Sequence, residues 1–200
     1  METIQIPPLE IEAAKSAYSR FKVFEKMNHL LDLVSSSDLE DMMTADCILH
    51  CMQNKKETQD YEALAAMAKK LGYDKVFDIG ACTGVQELYF QALDLDYSGI
   101  EITKKPRIYS DSVRYEISYP CRIKDQKDAL LISNLCIGYL IDLIECLPFM
   151  AQDFNACLMN CPKLTQEEAE SAEKWFKITR LQTEEGRYFT YMEKRGTKNE

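Results

Sequence analysis

In the stretch VFDIGACTG the carboxylate of Asp78 comes just before Gly80, and Gly84 closes the stretch. The apolar residues before it suit a buried strand and VQELYFQAL after it suits a helix, so the acid and both glycines fall at a strand-to-helix junction. Glycine adopts backbone angles that other residues avoid and lets a ligand approach the main chain, while a helix N-terminus presents unpaired N–H groups. A junction of this composition suits ligand binding. The dinucleotide fingerprint needs glycines at its first, third and sixth positions. Here those positions are Gly80, Cys82 and Val85, one match in three, which argues against a nicotinamide or flavin dinucleotide and an oxidoreductase. A second acid, Glu101, stands near the end of YSGIEI, about 21 residues beyond Gly80, near the spacing at which a carboxylate accepts hydrogen bonds from ribose hydroxyls. The alternative for Glu101 is a solvated strand end.

Other reactive groups point less clearly to chemistry. Eight cysteines without a CxxC pair read as reduced thiols rather than a zinc ribbon or redox couple. In DCILHC, Cys47, His50 and Cys51 share a face of an expected helix, but a metal needs a fourth ligand and none is near in sequence, so no metal site is expected. His29 and His50 both fall in the N-terminal helical region, as surface or core residues rather than bases. The net charge of −9 argues against a nucleic-acid backbone as partner. Residues 103–127 run the other way, with seven cations, among them Lys104, Lys105, Arg107, Arg114 and Lys127, against three carboxylates. That segment is either a solvated face or a docking patch for an acidic substrate or protein partner. No apolar run approaches the roughly 20 residues of a membrane span, and METIQIPPLEIEAAK is not a secretory leader, so a cytoplasmic protein is expected.

Two hundred residues, 46% of them hydrophobic, suit one compact unit with a real core. Residues 1–72 read as an N-terminal helical cap. Tyr18, Phe21, Phe24, Met27, Leu31 and Val34 form one stripe of a first helix, a second covers 35–53, and Asp60 is placed to cap a third that Gly72 ends. Residues 73–200 alternate strand and helix. Strands are expected at 75–79, 97–102, 113–117, 129–134 and 155–159, and helices at 85–93, near 138–150 and at 165–176 with a Thr165 cap. FKITRLQ and RYFTYMEK should pair as an antiparallel hairpin about Thr183 to Gly186. The fold class is therefore α/β, a doubly wound, mostly parallel seven-stranded sheet with a C-terminal antiparallel hairpin.

With these motifs in place, the chain resembles the class I, seven-stranded Rossmann-like S-adenosylmethionine-dependent methyltransferases over residues 73–195. VFDIGACTG looks like the family's first motif, DALLISNL like its fourth-strand motif, and the hairpin like its reversed last strand. Cys82 departs from it, standing where a third glycine is usual. The resemblance implies S-adenosylmethionine as cofactor, held by Asp78, Gly80, Ala81, Cys82, Gly84, Glu101 and Ile102, and a helical cap folded over it. It also implies methyl transfer to a small-molecule or protein acceptor. SNLCIGYL lacks the Asn/Asp-Pro-Pro-aromatic signature of DNA amino-group methylases, which argues against duplex DNA. Asn134 and Tyr139 are the candidates for orienting the acceptor; the alternative is a capped helix start and a core aromatic. Cys136 would serve as a nucleophile only with a lowered pKa. The competing function is a catalytically inactive, methyltransferase-like binding module that captures a protein partner through the cap or residues 103–127.

Overall fold

The computed structural model of the chain describes residues 3–6, 55–82, 84, 86–102, 110–116, 123, 126–161, 163–184 and 186–196, with side chains from Asp60 onward. The first two expected helices, the DCILHC cluster, His29, Lys104, Lys105 and Arg107 lie outside the described residues.

Among the described residues, eight strands form one sheet. In chain order they are β1 (Thr3–Ile6), β2 (Lys75–Ile79), β3 (Asp96–Glu101), β4 (Val113–Tyr115), β5 (Leu130–Asn134), β6 (Ala156–Asn160), β7 (Phe176–Thr183) and β8 (Tyr188–Lys194). Their spatial order is β1-β7-β8-β6-β5-β2-β3-β4. Strand β8 runs antiparallel to both β6 and β7, and every other pairing is parallel. The seven strands expected from 73 onward are all present, and β1 adds an edge strand that periodicity did not reveal. The parallel strands read as unbroken apolar runs because both faces are covered. Leu130, Leu131 and Ile132 are fully buried although they point alternately to opposite sides.

Four helices are described: α1 (Lys55–Lys70), α2 (Glu87–Gln91), α3 (Leu143–Asp153) and α4 (Gln166–Glu173). On one face, Leu64 and Met67 of α1 and Tyr89 and Phe90 of α2 pack on Val76 and Tyr97. On the other, Leu147 and Met150 of α3 and Ala172 of α4 pack on Phe77, Ile79 and Phe176. The side chain of Asp78 alternates with its neighbours and so shares the α1–α2 face with Val76.

Local signals locate several helix ends. Thr165 caps α4 through a reciprocal capping box, its hydroxyl accepting from the Glu168 N–H (3.2 Å) while Glu168 accepts from the Thr165 N–H (2.7 Å). Gly72, at φ +84°, ends the turn after α1. Three expectations are corrected. Asp60 lies inside α1 and caps nothing, because the helix begins at Lys55 and the carboxylate pairs with Arg187. Helix α2 spans only Glu87–Gln91, and Asp94 at φ +55° turns the chain into β3. Helix α3 begins at Leu143, since Leu135 and Gly138 both take positive φ and Asp142 caps the helix on the Glu145 N–H.

Candidate functional site at the strand ends

The chain runs outward from β2 to β3 and β4, then returns to β5 on the opposite side of β2. In an open parallel sheet this reversal makes a crevice at the carboxyl ends of the strands, where ligands bind. The loop after β2 lies at its centre. Both Gly80 and Ala81 donate their N–H groups to the Ile100 carbonyl, at 3.0 and 2.9 Å, so the loop stays pinned to β3. Gly80 has φ +82°, and a Cβ there would stand 2.6 Å from both Cβ and Sγ of Cys136. Glycine is thus required by backbone angle and by the close approach of the loop after β5. Gly84 is equally confined, 2.6 Å by the same measure from Ser110 Cβ. Glu87 holds that neighbouring segment by accepting from the hydroxyls of Ser110 (2.5 Å) and Ser112 (2.8 Å).

Cys82 adopts φ +49°, the left-handed region that favours glycine. Its N–H donates to Oε2 of Glu101 at 2.5 Å, which places the acid at the end of β3 against the loop. Glu101 is almost wholly buried and is no solvated strand end. Replacing Cys82 with glycine relieves the strain at the cost of extra backbone freedom in the unfolded chain. We expect a net gain of about 0.5–1 kcal/mol and a rise of roughly 1–4 °C in Tm, read by thermal denaturation.

Beneath the loop, three polar side chains form a buried knot. The Asp78 carboxylate accepts through Oδ2 from the Tyr97 hydroxyl (2.7 Å) and from Nε2 of Gln86 (2.9 Å). The same Gln86 nitrogen lies 2.6 Å from the Ala81 carbonyl and ties the loop to the start of α2. Asp78 Oδ1 and Gln86 Oε1 find no partner among the described residues. Burial pushes the Asp78 carboxyl up to about 6, a rise that the Gln86 and Tyr97 hydrogen bonds oppose and the charge of Glu101 reinforces. Gly99 also belongs to the site, because a Cβ there would stand 2.7 Å from the Asp78 carbonyl and 3.1 Å from Ala81 Cβ. Gln86, Tyr97 and Gly99 escaped the sequence reading; Gln86, falling just after the glycine stretch, was the nearest thing to a signal.

The structure brings Asp78, Gly80, Ala81, Cys82, Gly84 and Glu101 into one loop assembly, with Ile102 following Glu101 and packed at the edge of the α3–α4 core. Asn134 ends β5, next to β2 in the sheet, and its Oδ1 accepts from Nδ2 of Asn160 at 2.7 Å. Tyr139 is 68% exposed and is no core aromatic. It sits on a tight turn in which the Cys136 carbonyl accepts from the N–H groups of Tyr139, Leu140 and Ile141. Burial and the charges of Asp78 and Glu101 push the Cys136 thiol up to about 12, the opposite of what a nucleophile needs. Among the described residues no group of His, Cys, Asp and Glu is arranged to hold a metal, and no helix is long and apolar enough to cross a membrane.

No protein-family model and no curated protein sequence matches the chain. Solved structures do. DesVI of Streptomyces venezuelae superposes with a TM-score of 0.56 at 10% identity, over 78% of this chain and 99% of its own. The N-methyltransferase NodS from Bradyrhizobium japonicum WM9 superposes with a TM-score of 0.50 at 9% identity, over 69% of this chain and 96% of its own. The chain has a class I methyltransferase fold. At such identities the likeness extends to the architecture, with β8 as its reversed strand, and the chemistry of the site must be argued from this chain's own residues.

The two carboxylates supply that argument. Asp78 and Glu101 stand at the ends of adjacent strands, close enough for the charge of one to raise the other's pKa. Paired acids repel a pyrophosphate and favour a ligand that carries hydroxyls and positive charge. S-adenosylmethionine has ribose hydroxyls and an ammonium that donate and a sulfonium that carries positive charge, and it fits this pair of acceptors. The unpartnered Asp78 Oδ1 lies on the same side of the balance, as a buried acceptor in need of a donor.

Proposed function

We propose that the chain is an S-adenosylmethionine-dependent methyltransferase acting on a small-molecule or protein acceptor. The observation that carries this reading is Glu101, buried at the end of β3 and hydrogen-bonded to the strained Cys82 in the loop after β2. Glu101 would accept from the ribose hydroxyls. Gly80, Ala81, Cys82 and Gly84 would line the cofactor with main chain, and Ile102 would give it an apolar edge. Asp78 supports the loop from below through Gln86. When bound, S-adenosylmethionine supplies an electrophilic methyl group on sulfur.

The chain's own part in the reaction is alignment and exclusion of water. Asn134 and Tyr139 orient the acceptor from the segment after β5. Held there, the acceptor would present its lone pair to the methyl group that the cofactor would supply, and any proton on the acceptor would leave to solvent. A side-chain base is needed only for an acceptor that holds its proton tightly. The described cysteines, Cys82, Cys136, Cys146, Cys157 and Cys161, are free thiols.

Calorimetric titration tests the reading. S-adenosylmethionine and S-adenosylhomocysteine should bind at micromolar concentrations and NAD should not. Binding of NAD as tight as that of S-adenosylhomocysteine, or no binding of the latter, would overturn it. Transfer of labelled methyl groups to components of a cell extract then separates an enzyme from a module that only binds.

A further inference from the structure

A cavity of about 210 Å³ opens between α4 and the β7–β8 hairpin. Strands β6 and β5 stand between that hairpin and β2, so three strand spacings, roughly 14 Å, separate β8 from the strand that carries the glycine loop. Neither the residues assigned to the cofactor nor Asn134 lines the cavity. Strand alternation sets its face. Ile178 of β7 and Met192 of β8 pack in the α3–α4 core, so Arg180, Thr190 and Tyr188, at even spacings from them, point to the same side of the sheet.

Three donors line this space. Arg180 stacks its guanidinium 3.8 Å above the Tyr188 ring and makes no ion pair among the described residues. Stacking covers a face of the guanidinium and leaves its in-plane N–H edge for a partner. Lys163, exposed at the rim, adds a second cation with no ion pair among the described residues. The third donor is the Thr190 hydroxyl. Its oxygen accepts from the Cys161 thiol at 3.7 Å, and burial pushes the pKa of that thiol up, so the thiol keeps its proton and the hydroxyl hydrogen remains to be donated.

Glu173 is the one carboxylate of the lining among the described residues, so the cavity is locally cationic on a chain of net charge −9. Two cations against one carboxylate balance a single negative charge, which favours a carboxylate over a phosphate dianion. The other walls are apolar. Leu164 and Ile178 are only half-buried at the margin of the core that holds Ala172 and Phe176, and so leave apolar surface toward the cavity. Its volume lies below the roughly 300–1,000 Å³ usual for drug-sized ligands, which suits one ring or a short branched chain.

We propose that this cavity is a second ligand site, separate from the cofactor crevice, and that it takes a small carboxylic acid with an aromatic or branched apolar body. Arg180, Lys163 and the Thr190 hydroxyl hold the carboxylate, and the body lies on Leu164 and Ile178. None of these residues belongs to the methyltransferase site, so the cavity and that reading stand or fall separately.

The test titrates the full chain with benzoate, benzylamine and inorganic phosphate and follows binding by NMR. Benzoate should bind most tightly, shifting the amide signals of Cys161, Leu164, Ile178 and Thr190 and leaving those of Gly80, Ala81 and Glu101 in place. Arg180→Gln should weaken benzoate about tenfold. Lys163→Gln, at an exposed position where folding is not at stake, should weaken it about threefold. Benzylamine binding as tightly as benzoate, or benzoate binding indifferent to both substitutions, overturns recognition of an anion. Phosphate binding as tightly as benzoate overturns the role of the apolar walls. Absence of benzoate binding, or shifts confined to the glycine loop, overturns the site itself.

Discussion

Glu101→Ala should weaken S-adenosylhomocysteine binding about ten- to a hundredfold, the equivalent of roughly 1.5–3 kcal/mol of hydrogen bonding to a charged group. The loss has two sources. The carboxylate that would accept from the ribose hydroxyls disappears, and the N–H of Cys82 loses its 2.5 Å partner, which frees a residue held at φ +49° to leave that conformation. Glu101→Gln separates the two. It keeps an oxygen for Cys82 but removes the charge, so its affinity should fall between parent and alanine variant. Calorimetry measures the affinities and far-ultraviolet circular dichroism confirms the fold. An alanine variant that binds as tightly as the parent would remove Glu101 from the cofactor site.

The second large effect is a pH dependence of stability carried by Asp78. Its carboxyl titrates near 6 in the folded chain, against an ordinary value of 3.8. Between about pH 4 and 6 the folded state therefore binds more protons than the unfolded state, and stability falls as pH rises through that window. The contribution is fully present below about pH 4 and lost above about pH 6, with a magnitude on the order of 3 kcal/mol. Asp78→Asn removes this component. An asparagine oxygen can still accept from Tyr97 and Gln86, while its amino group falls where Oδ1 has no described partner, at a cost that does not vary with pH. The variant's stability relative to the parent should thus improve by about that amount between pH 4 and 7, as measured by urea unfolding at each pH. A difference that is flat across the window would show that Asp78 is ionised as easily when folded as when unfolded.

Much of the fold could be read locally. Periodicity located the seven strands from 75 to 194, the glycine loop and the hairpin, and the Thr165 cap rested on two hydrogen bonds between residues three apart. Such features depend on contacts within a turn or along one strand, so neighbouring residue types determine them. Glu101 was also legible, because its spacing from Gly80 follows from the length of one strand–helix–strand unit.

Tertiary structure decided the rest. Asp60 looked like a helix cap, but its carboxylate meets Arg187, 127 residues away, and Asn160, 100 residues away. Gly80 read as a loop glycine, whereas the constraint on it includes the side chain of Cys136 across the crevice. The Asp78–Gln86–Tyr97 knot joins a strand end, a helix start and the neighbouring strand, and nothing in their spacing announces it. The sequence by itself determined where strands and turns could form, because backbone angles and side-chain periodicity are properties of adjacent residues. Which polar groups were buried together, and so which were perturbed, oriented or left without a partner, depended on the order of strands in the sheet, which places residues a hundred positions apart within hydrogen-bonding distance.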